Sequence, residues 1–244
     1  MKMLFIIFCV SIIATTAFGQ GEVSFINSSA TLVRTNAIGA GGTAGPTATN
    51  RGGFYYAVFT APPTVTSLSP LDLLTPTWTF TGLYGTNLAF STGGRLNGGL
   101  DAIVPTGWPA GVTNSFVVVG WSANVSGKDW SSVAAQLAGA SFHNGVWSGT
   151  NWLLSSSDGF FGISALGFGV AGPPGGIVPP FSLFGPAPNL LGTPISTGFD
   201  LFVIIAPEPS TWALAGIGAT LLLVARYRCR RSRNRNSGGS PGTL

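Results

Sequence analysis

A chain of 244 residues with 36 glycines, 17 prolines and only 7% charged residues is poor material for long solvated helices and favours short strands joined by turns. Its formal charge of +4 does not make it a nucleic-acid binder. Six of the nine arginines crowd into 226–235, while residues 20–206 carry four basic against six acidic side chains, a net of −2, so no basic face is available to neutralise phosphates.

In chain order, Met1-Lys2-Met3 supplies a small positive region, Leu4 to Ile13 an apolar run, and Ala17-Phe18-Gly19 small residues at the spacing a signal peptidase needs. Residues 1–19 are therefore expected to be a signal peptide, cleaved between Gly19 and Gln20, with signal peptidase and the secretion machinery as partners. Cys9 leaves with the leader and Cys229 lies in the arginine block, so residues 20–203, the exported β-rich domain, have neither disulfide nor thiolate metal site.

Within that domain the apolar residues come in short runs bounded by turn residues. Glu22 to Asn27 alternates and reads as an opening strand, followed by Thr31 to Arg34 and a glycine-rich loop from Gly39 to Gly53. Phe54 to Thr60 is a strand that Pro62-Pro63 terminates. Thr77 to Thr81 alternates Thr with aromatic residues, and Arg95 to Leu100 contains a hairpin-type turn leading into Asp101 to Val104. Ser115 to Ser122 is the most apolar run and is placed at the centre of the sheet. Asp129 to Gly139 is the one helix, framed by an Asp cap and a Gly stop, with Trp130, Val133, Ala134 and Leu137 on one face. Asn144-Gly145 and Asp158-Gly159 are turns, Phe160 to Leu166 a strand, Pro173 to Pro188 a loop, and Gly198 to Ile205 the closing strand. The fold class expected is all-β: an antiparallel β-sandwich or jelly-roll-like domain with one short helix.

Chemistry-bearing constellations are scarce. His143 is the only histidine and sits beside a turn, and Asp72, Asp101, Asp129, Asp158 and Asp200 each fall where a turn, cap or strand edge uses a carboxylate locally. Gly167 to Gly172 spells GxGxxG, but Pro173-Pro174 stands where the phosphate-binding helix would begin. The reading is of a protein that is not an enzyme and takes no cofactor or metal. Trp147 and Trp152, flanked by Asn, Gly, Ser and Thr, are expected to be exposed and to offer rings for glycan stacking, which keeps open a carbohydrate-binding module and exopolysaccharide as a partner. A secreted hydrolase working through His143 or a pair of Asp carboxylates is the third reading.

The C-terminal segment, residues 204–235, is organised differently. Pro207-Glu208-Pro209 precedes an apolar run that is uncharged from Thr211 to Ala225 and that, with Tyr227 as its far anchor, gives roughly 25 Å of helix at 1.5 Å per residue, which reads as a transmembrane helix over about 211–227. Leu214, Leu221, Leu222, Leu223 and Val224 form its apolar body, and Trp212 and Tyr227 stand at its two ends as interfacial rings. Arg226, Arg228, Arg230, Arg231, Arg233 and Arg235 follow as a stop-transfer cluster, which puts this end in the cytoplasm and the domain outside; residues 236–244 read as a disordered cytoplasmic tail. This order of motif, apolar run and arginine cluster resembles the PEP-CTERM sorting signal of Gram-negative bacteria, also known as the ice-binding protein C-terminal segment. Ala206 stands where Val is usual, and the chain runs on past the arginines to Leu244. The resemblance implies recognition of Pro207, Glu208 and Pro209 by an exosortase, and delivery to the cell surface or extracellular matrix. The expected localisation is thus a single-pass inner-membrane intermediate, N-terminus out, and then the cell surface or the extracellular space. The domain itself is expected to be structural or adhesive.

Overall fold

The computed structural model of the chain describes residues 19–89, 92–154, 158–186, 188–206, 216–222 and 226, and the chain divides into two units, Met1–Ala206 and Pro207–Leu244. The strands of the first unit are β1 (Glu22–Ile26), β2 (Arg34–Asn36), β3 (Ala44–Pro46), β4 (Phe54–Ala61), β5 (Thr79–Asn87), β6 (Leu96–Ile103) and β7 (Thr113–Ser122). After α1 (Ala123–Ser126) and α2 (Trp130–Leu137) come β8 (Ala140–His143), β9 (Val146–Gly149), β10 (Gly159–Ile163), β11 (Gly167–Val170), β12 (Phe181–Ser182), β13 (Gly192–Thr193) and β14 (Asp200–Ile205).

The long strands β4 and β7 occupy the middle, paired antiparallel without interruption from Phe54 against Ser122 to Ala61 against Ser115. Alternate side chains leave a strand on opposite faces, and here both faces are covered. Phe54, Tyr56, Val58, Phe116 and Val118 enter one core, while Ala57, Phe59, Val117, Val119 and Trp121 enter a second on the other side. Burial on both faces explains why β7 is a continuous β-branched run rather than an alternating one. The expectation that Ser115 to Ser122 is central is met.

The first core is enclosed because the sheet rolls. Its order is β12-β1-β6-β5-β4-β7-β10-β14-β2-β3, with β11 and β13 added beside β7, and β9 and β8 beside β14. At one end Glu22 and Gly172 exchange backbone hydrogen bonds (2.8 and 2.9 Å), tying β1 to the chain just after β11; at the other, Val33 N–H donates to Gly94 O (2.9 Å) and Gly94 N–H to Thr47 O (3.0 Å). The result is an all-β half-barrel with minor helix, made of one sheet. This corrects the expected antiparallel sandwich: β1 with β12, and β14 with both β2 and β9, are parallel pairs. Such pairings join segments distant in the chain and leave no turn signature between them.

The second core is covered by the helix and by the β8–β9 hairpin. Asp129 caps α2, its Oδ1 accepting from Ser131 N–H (3.0 Å) and its Oδ2 from Ser132 Oγ (2.6 Å), and these bonds to the ionised form hold its carboxyl below the ordinary aspartate value. Trp130, Val133 and Leu137 are buried, with Trp130 edge-on to Phe59 at 4.6 Å. One local expectation changes. Asn97, Gly98 and Gly99 are not a hairpin turn but the middle of β6, where the register against β1 shifts and Gly99 takes φ 118°. The GxGxxG stretch is largely β11, laid on the first half of β7, and side chains at Gly167 or Gly169 would run into the rings of Phe116 and Phe181. Those glycines make room for aromatic packing.

Among the described residues no helix is long and apolar enough to cross a membrane. This overturns the expected transmembrane helix over 211–227, and with it the inner membrane as a partner and the single-pass topology. Of that span, residues 216–222 and 226 are described, and all are helical. Gly216, Gly218 and Thr220 are weak helix formers, and Thr220 Oγ1 bonds back to the carbonyls of Gly216 (3.0 Å) and Ile217 (2.8 Å). Trp212, Leu214, Leu223, Val224 and Tyr227, expected in the same span, lie outside the described residues.

One buried side chain ties the rolled sheet together near its seam. Asn27 is 2% exposed; its Nδ2 donates to Thr31 O (2.7 Å) and Gly94 O (2.9 Å), and its Oδ1 accepts from Leu96 N–H (2.8 Å). Asn27→Ala strips all three bonds from buried backbone groups and is expected to lower the unfolding free energy by about 2–4 kcal/mol, read from the denaturant midpoint at unchanged m-value.

Candidate functional site

A cleft lies where β1 and β6 run side by side. Their register sets Glu22 opposite Ile103, and Asp101, two residues before Ile103 on β6, shares that face. The loop 173–180 crosses above them. Together they frame a cleft of about 510 Å³, whose walls include Glu22, Asp101, Ile103, Ile177, Val178 and Pro180. Glu22 is buried, and its Oε2 accepts the N–H of Gly175 at 2.7 Å, so the carboxylate pins the loop. Asp101 is exposed, as are Ile103, Ile177 and Val178. The lining thus offers aliphatic walls and two carboxylates of which one is engaged by backbone, and it includes no hydroxyl, thiol or imidazole. Among the described residues no group of three or more His, Cys, Asp or Glu side chains is placed to hold a metal ion.

Glu22 is the residue that sequence reasoning missed. It reads as an ordinary first residue of an alternating strand, and its partner lies 153 positions away. No local signal marks a contact of that separation.

Trp147 and Trp152 are placed differently from expectation. They are 2% and 3% exposed, not open to solvent. The Asn, Gly, Ser and Thr residues around them form the ends of the β8–β9 hairpin, while the rings themselves turn into the second core. Trp147 meets Phe161 edge-on at 5.1 Å and donates its Nε1 proton to Phe161 O at 2.9 Å; Trp152 lies 6.3 Å from Trp147 and 6.1 Å from Phe161. Trp78, Trp108, Trp121 and Trp130 are buried as well, each at 8% exposure or less. The glycan-stacking role expected of Trp147 and Trp152 is therefore corrected to core packing.

The remaining candidates are dispersed. His143 is exposed at the end of β8. Asp72 accepts Ser69 N–H (2.7 Å) at the head of the 3-10 turn Pro70–Leu74, Asp129 caps α2, and Asp200 accepts from Asn36 Nδ2 at 2.8 Å. Tyr56 is wholly buried, and burial pushes its phenol well above the ordinary tyrosine value; its hydroxyl and that of Thr47 sit side by side without hydrogen-bond geometry. Gly19 and Gln20, the expected cleavage pair, are exposed just ahead of Gly21, whose N–H donates to Trp108 O at 3.0 Å. Of the expected C-terminal residues, Leu221 and Leu222 are described and are exposed, and Arg226 is described as helical. Pro207, Glu208, Pro209, Arg228, Arg230, Arg231, Arg233 and Arg235, like residues 1–18 and 236–244, lie outside the described residues. Comparison with protein-family models, with curated proteins and with solved structures finds no match for the chain.

Two outcomes are expected from these placements. Trp147→Ala acts through the core and lowers the unfolding free energy by about 3–5 kcal/mol, measured by chemical denaturation. Because the folded phenol of Tyr56 ionises later than the unfolded value of 10.0, its contribution is complete below pH 10 and is lost as pH rises toward the folded value. Tyr56→Phe, which also removes a hydroxyl without a partner, is expected to leave stability at neutral pH unchanged or raised and to flatten its fall in alkali, as read from melting temperature against pH.

Proposed function

We propose that residues 20–203 form the non-enzymatic domain of an exported cell-surface or extracellular-matrix protein, structural or adhesive in role, and that Pro207-Glu208-Pro209 is the signal through which an exosortase recognises it. Support for the sorting signal is the order of residues alone: the proline-framed glutamate, the apolar run and six arginines within 226–235. Support for export is the positive, apolar and small-residue sequence of Met1 to Gly19, with the ladder of the half-barrel opening at Gly21, directly after the proposed cleavage point.

The observation that carries the structural role is where the domain puts its recognition-grade side chains. Six tryptophans face inward, and Asp72, Asp129 and Asp200 are engaged by neighbouring backbone or side-chain donors. What remains outside among the described residues is largely Gly, Ser, Thr, Asn and Pro with few charges, together with exposed apolar side chains such as Ile103, Ile177 and Val178 along the cleft. Such a surface serves as a spacer or packing unit, and stable folding without disulfides follows from two cores built on one sheet. The carbohydrate-binding reading has lost the two rings it named, and a hydrolase reading rests on His143, which stands exposed on a hairpin away from Glu22 and Asp101 in sequence and fold.

The test is mass spectrometry of the protein released by the cells that make it. The released form is expected to begin at Gln20 and to lack the arginine cluster, and replacing Pro207, Glu208 and Pro209 together by alanine is expected to leave the C-terminal segment attached and to reduce surface delivery. Identical termini and identical release in the two proteins would eliminate the sorting proposal.

A further inference from the structure

The edges of the sheet are not equally protected. A free strand edge is a row of unpaired N–H and C=O groups, and proteins ordinarily guard it with proline, charge, a bulge or covering chain. β3 carries Pro46. β12 is continued and covered, since Ile195 N–H donates to Leu183 O (2.9 Å) and Gly185 N–H to Ile195 O (3.1 Å). β13 is two residues long and is followed by Pro194.

Among the described residues β8 has none of these guards. It pairs with β9 alone, and no backbone hydrogen bond outside that ladder involves Ser141, Phe142 or His143 among the described residues. Asn144 (φ 50°) and Gly145 (φ 77°) both take positive φ, as a two-residue type I′ turn requires. In such a hairpin the pair flanking the turn, His143 with Val146, is hydrogen-bonded, and bonded and non-bonded pairs then alternate. Ser141 and His143 therefore direct their amides and carbonyls toward β9, and Phe142 directs its own outward. Beside those outward groups stands the Phe142 ring, 40% exposed and held in place by Trp147 at 4.9 Å and Phe202 at 5.0 Å. From Ala138 to Leu154 the sequence contains no Asp, Glu, Lys or Arg, so two such surfaces meet without like-charge repulsion.

We propose that β8 is a self-association edge, and that its occupant is β8 of a second copy of this chain, paired antiparallel about a two-fold axis through Phe142. A two-fold axis perpendicular to the sheet keeps each face of the strand on the same side and brings a residue opposite itself. The Phe142 N–H of each copy then donates to the Phe142 carbonyl of the other, Ser141 stands opposite His143 of the second copy, and the two phenyl rings meet on one face. A four-residue edge buries little area compared with the roughly 1,600 Å² of a stable interface, so the pairing is weak and concentration-dependent. Weak edge pairing suits a protein that works crowded on a surface or in a matrix, and to that extent the inference rests on the function proposed above.

Sedimentation velocity on the purified full-length chain from micromolar to millimolar concentration tests it. The average mass is expected to climb from monomer toward dimer, with amide exchange at Phe142 slowing in step. Phe142→Pro removes the outward N–H without touching the β9 ladder, and Phe142→Lys keeps the backbone but places charge at the axis; each is expected to raise the dissociation constant at least about tenfold. Near-ultraviolet circular dichroism of the buried tryptophans shows that a variant is folded, and the lysine variant keeps the test valid where the proline variant is not. A wild-type chain that stays monomeric to millimolar concentration overturns the inference, and so does a dimer that both folded variants retain. Neither result bears on the processing of the C-terminal segment, which is read separately by its termini.

Discussion

Everything in the domain depends on the pairing of β4 with β7 and on the burial of both faces of that pair. Eight consecutive residue pairs hold the two strands in register, and a slip of one residue would exchange the contents of the two cores. Tyr56, Val58 and Phe116 would then have to fit where Phe59, Val117 and Trp121 now pack. Because each face is already filled by shaped aromatic groups, the register has one solution. The rest of the sheet grows outward from this pair and rolls until its ends are close enough to be joined by Glu22, Gly172, Val33 and Gly94.

Inward commitment of the aromatic residues shapes the surface as much as the interior. Trp108, Trp121 and Trp147 each donate their ring N–H to a backbone carbonyl (3.0, 2.7 and 2.9 Å), so these rings satisfy their one polar group as they pack. The exterior is left with turn residues, a few carboxylates held by capping or cross-strand bonds, and exposed apolar side chains such as Leu190 and the cleft residues Ile103, Ile177 and Val178. A domain built this way has much shape and little exposed chemistry.

The C-terminal segment obeys different rules. Its motif, apolar run and arginines are features of the primary sequence, and the sorting role proposed for them rests on that order of residues alone. Among the described residues no helix is long and apolar enough to cross a membrane, and Gly216, Gly218 and Thr220 are weak helix formers. The chain divides into its two units between Ala206 and Pro207.

Much of the fold was legible in the residues themselves wherever local physics decides. Runs of aromatic and β-branched residues marked β4, β7 and β14, the Asp129 cap and its apolar stripe marked α2, and Asn144-Gly145 marked the hairpin turn, since each depends on neighbours within a few positions. The absence of a basic face followed in the same way from counting charges on either side of Ala206. Tertiary structure alone decided the rest. Parallel pairs of β14 with β2 and β9 join residues more than fifty positions apart, and the bond from Gly175 to Glu22 spans 153. The direction of Trp147 and Trp152 depended on which side of β9 the second core lay. Polar flanks describe where a hairpin ends, whereas the facing of a ring is set by what the sheet brings against it, and that is a property of the closed fold rather than of any stretch of chain.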